Sequence, residues 1–98
     1  MSNYPFVEEI LKSNNIKYLS NFNFSNKWIF HFALYEKKIA IEIQDRKWIK
    51  GRHTYGQGFS DDILKYNTAS LLGWVVVRFT PIMLNTPYFL DTIKTLIK

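Results

Sequence analysis

Two apolar runs, WIFHFAL (28–34) and KIAIEI (38–43), flank a short charged connection that contains Glu36 and Lys37. Runs of this length, rich in β-branched and aromatic residues and joined this tightly, predict a β-hairpin. With Glu36-Lys37 as the loop, Ala33 opposes Ala40, His31 opposes Glu42 and Ile29 opposes Gln44. Side chains alternate across a strand, so Ile29, His31, Ala33, Ala40, Glu42 and Gln44 share one face. The other face is Trp28, Phe30, Phe32 and Leu34 against Ile39, Ile41 and Ile43, which is a core surface. His31, Glu42 and Gln44 therefore fall together, beside two alanines whose small side chains leave space. A slip of one residue would split the set between faces.

A carboxylate inside an apolar strand is costly unless something pairs with it. One reading makes His31 and Glu42 a cross-strand ion pair on a partly wet face. The other makes the polar face a site for a metal ion or a substrate.

The remaining chain supplies partners for such a hairpin. PFVEEILKSNN (5–15) opens on a proline suited to a first helical turn and places Phe6, Val7, Ile10 and Leu11 on one helix face. A further strand is expected near YLSNFNF (18–24). KGRHTYGQG (50–58), with its three glycines, reads as a loop. Ser60 is suited to an N-cap, Asp61 and Asp62 to a first turn, and Gly73 to the stop of a helix carrying Ile63, Leu64, Tyr66, Leu71 and Leu72. WVVVRF (74–79) is a β-branched strand closed by Pro81. Thr86 and Pro87 open a last helix with Phe89, Leu90, Ile93 and Leu96 as its buried stripe. A hairpin followed by a helical crossover predicts a mixed sheet flanked by helices.

Its 98 residues suit one domain, 1–98. No run approaches the roughly 18 apolar residues of a membrane span, and the N-terminus lacks a signal-peptide pattern. The absence of cysteine rules out disulfides and thiolate ligands and fits a cytoplasmic protein. The formal charge of +5 suggests an anionic partner. Much of that charge lies in RKWIKGRHTYGQG (46–58), where Arg46, Lys47, Lys50, Arg52 and His53 alternate with Trp48 and Tyr55. Such a segment is either a solvated charged loop or a grip on a phosphate backbone with stacking on exposed bases. Lys65 has an ordinary use in an i,i+4 pair with Asp61. Arg78, alternating with Trp74 and Val76, is open to facing a nucleic acid or closing a carboxylate pair. Trp28 and Trp74 read as core.

Taken together, KWIFHFALYEKKIAIEIQDRKW, GRHTYGQGF, DILKYNTASLLGW and VVRFTP resemble the small phage and bacterial VRR-NUC-type nucleases of the PD-(D/E)XK superfamily. The resemblance runs from about Lys27 to Pro81. It implies an α/β (α+β), restriction-endonuclease-like mixed sheet flanked by helices, in the order α-β-β-β-α-β with a C-terminal helix. It also implies a metal-dependent DNA endonuclease that acts on branched or junction DNA as a homodimer. The setting implied is DNA repair or recombination in a bacterial or phage-infected cell. The alternative is a catalytically inactive nucleic-acid-binding protein that retains the nuclease fold.

The resemblance makes Glu42, Gln44, His31 and Lys65 the candidate catalytic residues, with Asn67 a second candidate on the helix. The metal would be held by Glu42, His31, the backbone carbonyl of Ile43, and Glu8 or Glu9, whose periodicity does not separate them. Arg46, Lys47, Lys50, Arg52, His53 and Tyr55 become the nucleic-acid-binding set. Mg²⁺ or Mn²⁺ is the implied cofactor, because hard cations prefer oxygen ligands. The sequence departs from the family where it matters most. The family's Asp falls on His31, its second acid or lysine on Gln44, and its Gly-Gly on Asp45-Arg46. Imidazole is a poor Mg²⁺ ligand and suits Mn²⁺ or another transition metal better.

Overall fold

The computed structural model describes residues 4–44 and 57–98. In chain order these form α1 (Pro5–Ser13), β1 (Leu19–Ser25), β2 (Trp28–Leu34), β3 (Ile39–Ile43), α2 (Gln57–Leu71), β4 (Val75–Phe79), a 3-10 turn (Met83–Asn85) and α3 (Pro87–Ile97). The strand expected near YLSNFNF is β1. The order α-β-β-β-α-β-α is a mixed α+β arrangement consistent with a restriction-endonuclease-like fold. The sheet runs β1-β2-β3-β4, antiparallel across the first three strands, with β4 parallel to β3.

Pro5 and Pro87 open α1 and α3 at positions where a missing N–H costs nothing. Gly73, at φ 89°, takes the left-handed conformation that ends α2. Lys38 adds to that end, its Nζ donating to the Leu72 carbonyl at 2.6 Å. Ser60 does not cap α2: Gln57, Gly58 and Phe59 already have helical backbone, so the helix starts before it.

The hairpin register is the predicted one. Phe32 pairs with Ile41, Ala33 with Ala40 and Leu34 with Ile39. The connection is wider than Glu36-Lys37, taking in residues 35–38 with Lys38 at φ 56°.

Two cores lie on the two faces of the sheet. Val7 and Leu11 of α1 and Phe89 and Ile93 of α3 pack on Phe32, Leu34, Ile39, Ile41, Ile43 and Phe79. On the other face, Ala69 of α2 packs with Phe30 and Ala40, joined by Phe22, Phe24, Trp74 and Val76. Simple alternation assigns Phe30 to the same face as Phe32, and the structure corrects this. The β2–β3 pairing ends at Phe32–Ile41. Opposite His31 in β1, between the pairs Ser20–Phe32 and Phe22–Phe30, stands Asn21 at φ 50°. The period of two fails beside Asn21 and beyond the last β2–β3 pair, and Phe30 stacks on Phe24 at 3.9 Å instead.

Apolar residues of α2 also behave unexpectedly. Ile63, Leu64 and Leu71 are exposed, Leu71 at 87%, as is Leu72 just past the helix end. Leu96, assigned to the α3 stripe, is exposed as well. Trp74 lies in the second core, and Trp28 is half-buried, stacked on Phe24.

Candidate active site

The site lies where the hairpin ladder stops. β3 and β4 run parallel, with Glu42 in register beside Arg78 near their carboxyl ends. The carboxyl ends of parallel strands in open α/β sheets are where ligands commonly bind. Helix α2 crosses this end and delivers Lys65 and Tyr66. Both sit on the side of α2 that carries buried Ala69, one turn back from it.

Glu42 is the buried charged residue of the described core, 5% exposed. Its Oε1 accepts from Lys65 Nζ at 3.0 Å and from the Tyr66 hydroxyl at 3.4 Å. Its Oε2 has no hydrogen-bond partner. His31 lies beside Oε2, with Nδ1 at 3.9 Å. That nitrogen is already engaged: the Ile43 N–H donates to it at 3.1 Å. A ring nitrogen that accepts carries no proton, so Nδ1 and Oε2 face one another as two lone-pair centres. Burial holds the His31 pKa below its ordinary value; Glu42 acts the opposite way and Lys65 reinforces the lowering. The imidazole is therefore neutral at pH 7, and the expected His31–Glu42 ion pair is replaced by Lys65–Glu42. The His31 ring thus substitutes for the backbone acceptor that Ile43 loses when the ladder ends.

Gln44 joins the same cluster, its Nε2 lying 3.5 Å from the Tyr66 hydroxyl. By sequence, Tyr66 reads only as part of an apolar helix. Burial and the proximity of Glu42 push its phenol up to about 12, so it remains a neutral donor. The signal that finds it is the 65-66-69 spacing, once Ala69 rather than the exposed leucines is taken as the inner face of α2.

The other expected residues divide clearly. Lys65 reaches the site, whereas Asn67 is exposed. Asp61, the alternative partner for Lys65, lies 3.9 Å from Lys27. Of the two α1 acids, Glu8 accepts from the Tyr18 hydroxyl at 2.7 Å and Glu9 is exposed. Neither is joined to Glu42, His31 or Gln44 among the described contacts. Arg46, Lys47, Lys50, Arg52, His53 and Tyr55 lie outside the described residues.

A divalent metal asks for several oxygen donors. Among the described residues no group of three His, Cys, Asp or Glu side chains is arranged to hold one. The feature that fits a cation is Glu42 Oε2, a buried carboxylate oxygen with no hydrogen-bond partner.

The fold has a counterpart among solved structures. The catalytic domain of the homing endonuclease I-Bth0305I superposes with a TM-score of 0.64 at 24% identity, covering 99% of this chain and 90% of that one. The chain thus has the fold of a nuclease catalytic domain. No protein-family model matches it. No curated protein matches it. No helix among the described residues is long and apolar enough to cross a membrane.

Proposed function

We propose that this protein is a metal-dependent DNA endonuclease, hydrolysing phosphodiesters of branched or junction DNA at an altered site centred on Glu42. The observation that carries the reading is the buried Glu42 carboxylate, with one oxygen held by Lys65 and the other without a partner. The likeness of fold to a nuclease catalytic domain supports it. Glu42 Oε2, Gln44 and the Ile43 carbonyl would hold the cation. Bound there, Mg²⁺ or Mn²⁺ would polarise the phosphate and lower the pKa of its water.

The chain's own residues do the rest. Lys65 balances the charge of Glu42 and fixes its rotamer, and Tyr66 donates to the same oxygen. Gln44 meets Tyr66, which holds the second strand position toward the cluster. Neutral His31 keeps the Ile43 N–H satisfied where the strands part. We also propose a second copy of the chain as partner. The exposed Ile63, Leu64 and Leu71 of α2, with Leu72 just past its end, offer an apolar surface for it.

One observation favours a second reading, a non-cutting DNA-binding protein with this fold. His31 Nδ1 is occupied by the Ile43 N–H, so it is withdrawn from metal ligation. Cleavage of duplex, single-stranded and four-way-junction DNA, each with Mg²⁺, Mn²⁺ or no metal, separates the two. Weak cutting that favours Mn²⁺ is expected of the unmodified protein. His31→Asp with Gln44→Glu should gain Mg²⁺-dependent cleavage, and Glu42→Gln should abolish the gain. Strong Mg²⁺-dependent cutting that survives Glu42→Gln would move the chemistry to other residues. DNA binding with no cutting by any variant would establish the second reading.

A further inference from the structure

The cluster around Glu42 contains a cation that no ion pair among the described residues engages. Glu42 and Lys65 pair with each other at 3.0 Å. Arg78 stands in register beside Glu42 on the neighbouring strand but does not bond to it. Its guanidinium carbon lies 3.9 Å from the centroid of the Tyr66 ring. The side chain is exposed, and no carboxylate oxygen among the described residues comes within 4.0 Å of its nitrogens. Asp62 also acts on Tyr66, with the opposite sign to Arg78 and without an ion pair to it.

We infer that Arg78, held over the Tyr66 ring, grips a phosphate of the nucleic-acid backbone next to the Glu42 site. The inference rests on the nucleic-acid reading above and names a residue that binds the substrate. A guanidinium stacked on a ring keeps its in-plane N–H groups free, and that fork matches two phosphate oxygens. Stacking also removes rotamer freedom before the ligand arrives, so less is lost on binding. Tyr66 thereby serves two groups: its hydroxyl reaches Glu42, and its ring carries Arg78. Tyr66 is a positioning residue here, and Arg78 is the contact.

The test is a double-mutant cycle on DNA affinity, measured by anisotropy of a labelled duplex in the absence of divalent metal so that cutting does not enter. Arg78→Ala should weaken binding about tenfold and reduce the salt slope by about one. Arg78→Lys should keep the slope and recover only part of the affinity, because an ammonium lacks the planar fork. Tyr66→Leu should weaken binding as well, and the Arg78→Ala change should then cost little more in that background. In a Tyr66→Phe background, which retains the ring, Arg78→Ala should still cost its full factor. Additive losses from Arg78→Ala and Tyr66→Leu would overturn the stacked clamp. Duplex binding by the unmodified protein, with affinity and slope untouched by Arg78→Ala, would overturn the inference and leave the nucleic-acid reading standing. Failure of the unmodified protein to bind DNA would overturn both.

Discussion

The hairpin has two ends with opposite chemistry. At the turn end, three successive pairs from Leu34–Ile39 to Phe32–Ile41 form an unbroken ladder with every side chain buried. One residue further, the ladder stops, an imidazole replaces a backbone acceptor, and Glu42 is buried with a free oxygen. Both ends are built from the same two strands. The closed end provides rigidity and the open end provides unsatisfied chemistry, and the second is tolerable only because the first holds the strands in register.

The sharpest way to break this comparison is at the closed end. Phe32→Ala should cost about 4 kcal/mol through loss of buried apolar surface and the cavity left behind. Chemical denaturation measures it, and a cost below about 1 kcal/mol would mean that the ladder is not the anchor. At the open end, Lys65→Met leaves the buried carboxylate without its counter-ion and should cost about 3 kcal/mol. Adding Glu42→Gln should return most of that loss, because the strain lies in an unpaired charge and not in packing. A double variant no more stable than Lys65→Met alone would mean that lost packing, and not the unpaired charge, destabilises the protein.

A smaller effect comes from His31. Its folded-state pKa is lowered, chiefly by burial, so between that value and about 6.5 the unfolded chain binds more protons. Stability should be fully present above about pH 6.5 and decline as the pH falls toward the folded value. His31→Ala should flatten that acid slope while costing about 1 kcal/mol at pH 7, as the Ile43 N–H loses its acceptor. An unchanged slope would assign the acid sensitivity to another group. A separate effect lies at the alkaline end. Tyr66 is pushed up to about 12 by burial and by Glu42, so its proton is held more tightly folded than unfolded. The corresponding stability should persist to about pH 10 and be lost as the pH rises toward 12. Alkaline unfolding of the Tyr66→Phe variant, compared with the parent, measures that share. Tyr18, pushed up similarly beside Glu8, supplies the internal comparison because it lies away from Glu42.

Much of this was legible in the chain of residues. Apolar alternation and a short charged connection determined the register of β2 and β3, because a one-residue slip would take Ile39, Ile41 and Ile43 off the face that α1 and α3 cover. Pro5, Gly73 and Pro87 marked element ends through backbone restrictions that act locally. The meeting of His31 and Glu42 followed from that register, carried one residue beyond the last paired residues. What sequence periodicity missed depends on contacts between distant segments. Phe30 changed faces because the ladder ended beside it and Asn21 bent the neighbouring strand. Glu42 found its counter-ion in Lys65, 23 residues away, and not in the residue across the hairpin. Tyr66 became part of the site because α2 turns Ala69, and not its leucines, toward the sheet. Local preference sets each strand's alternation, but only packing decides which helix face meets it and which charges end up paired.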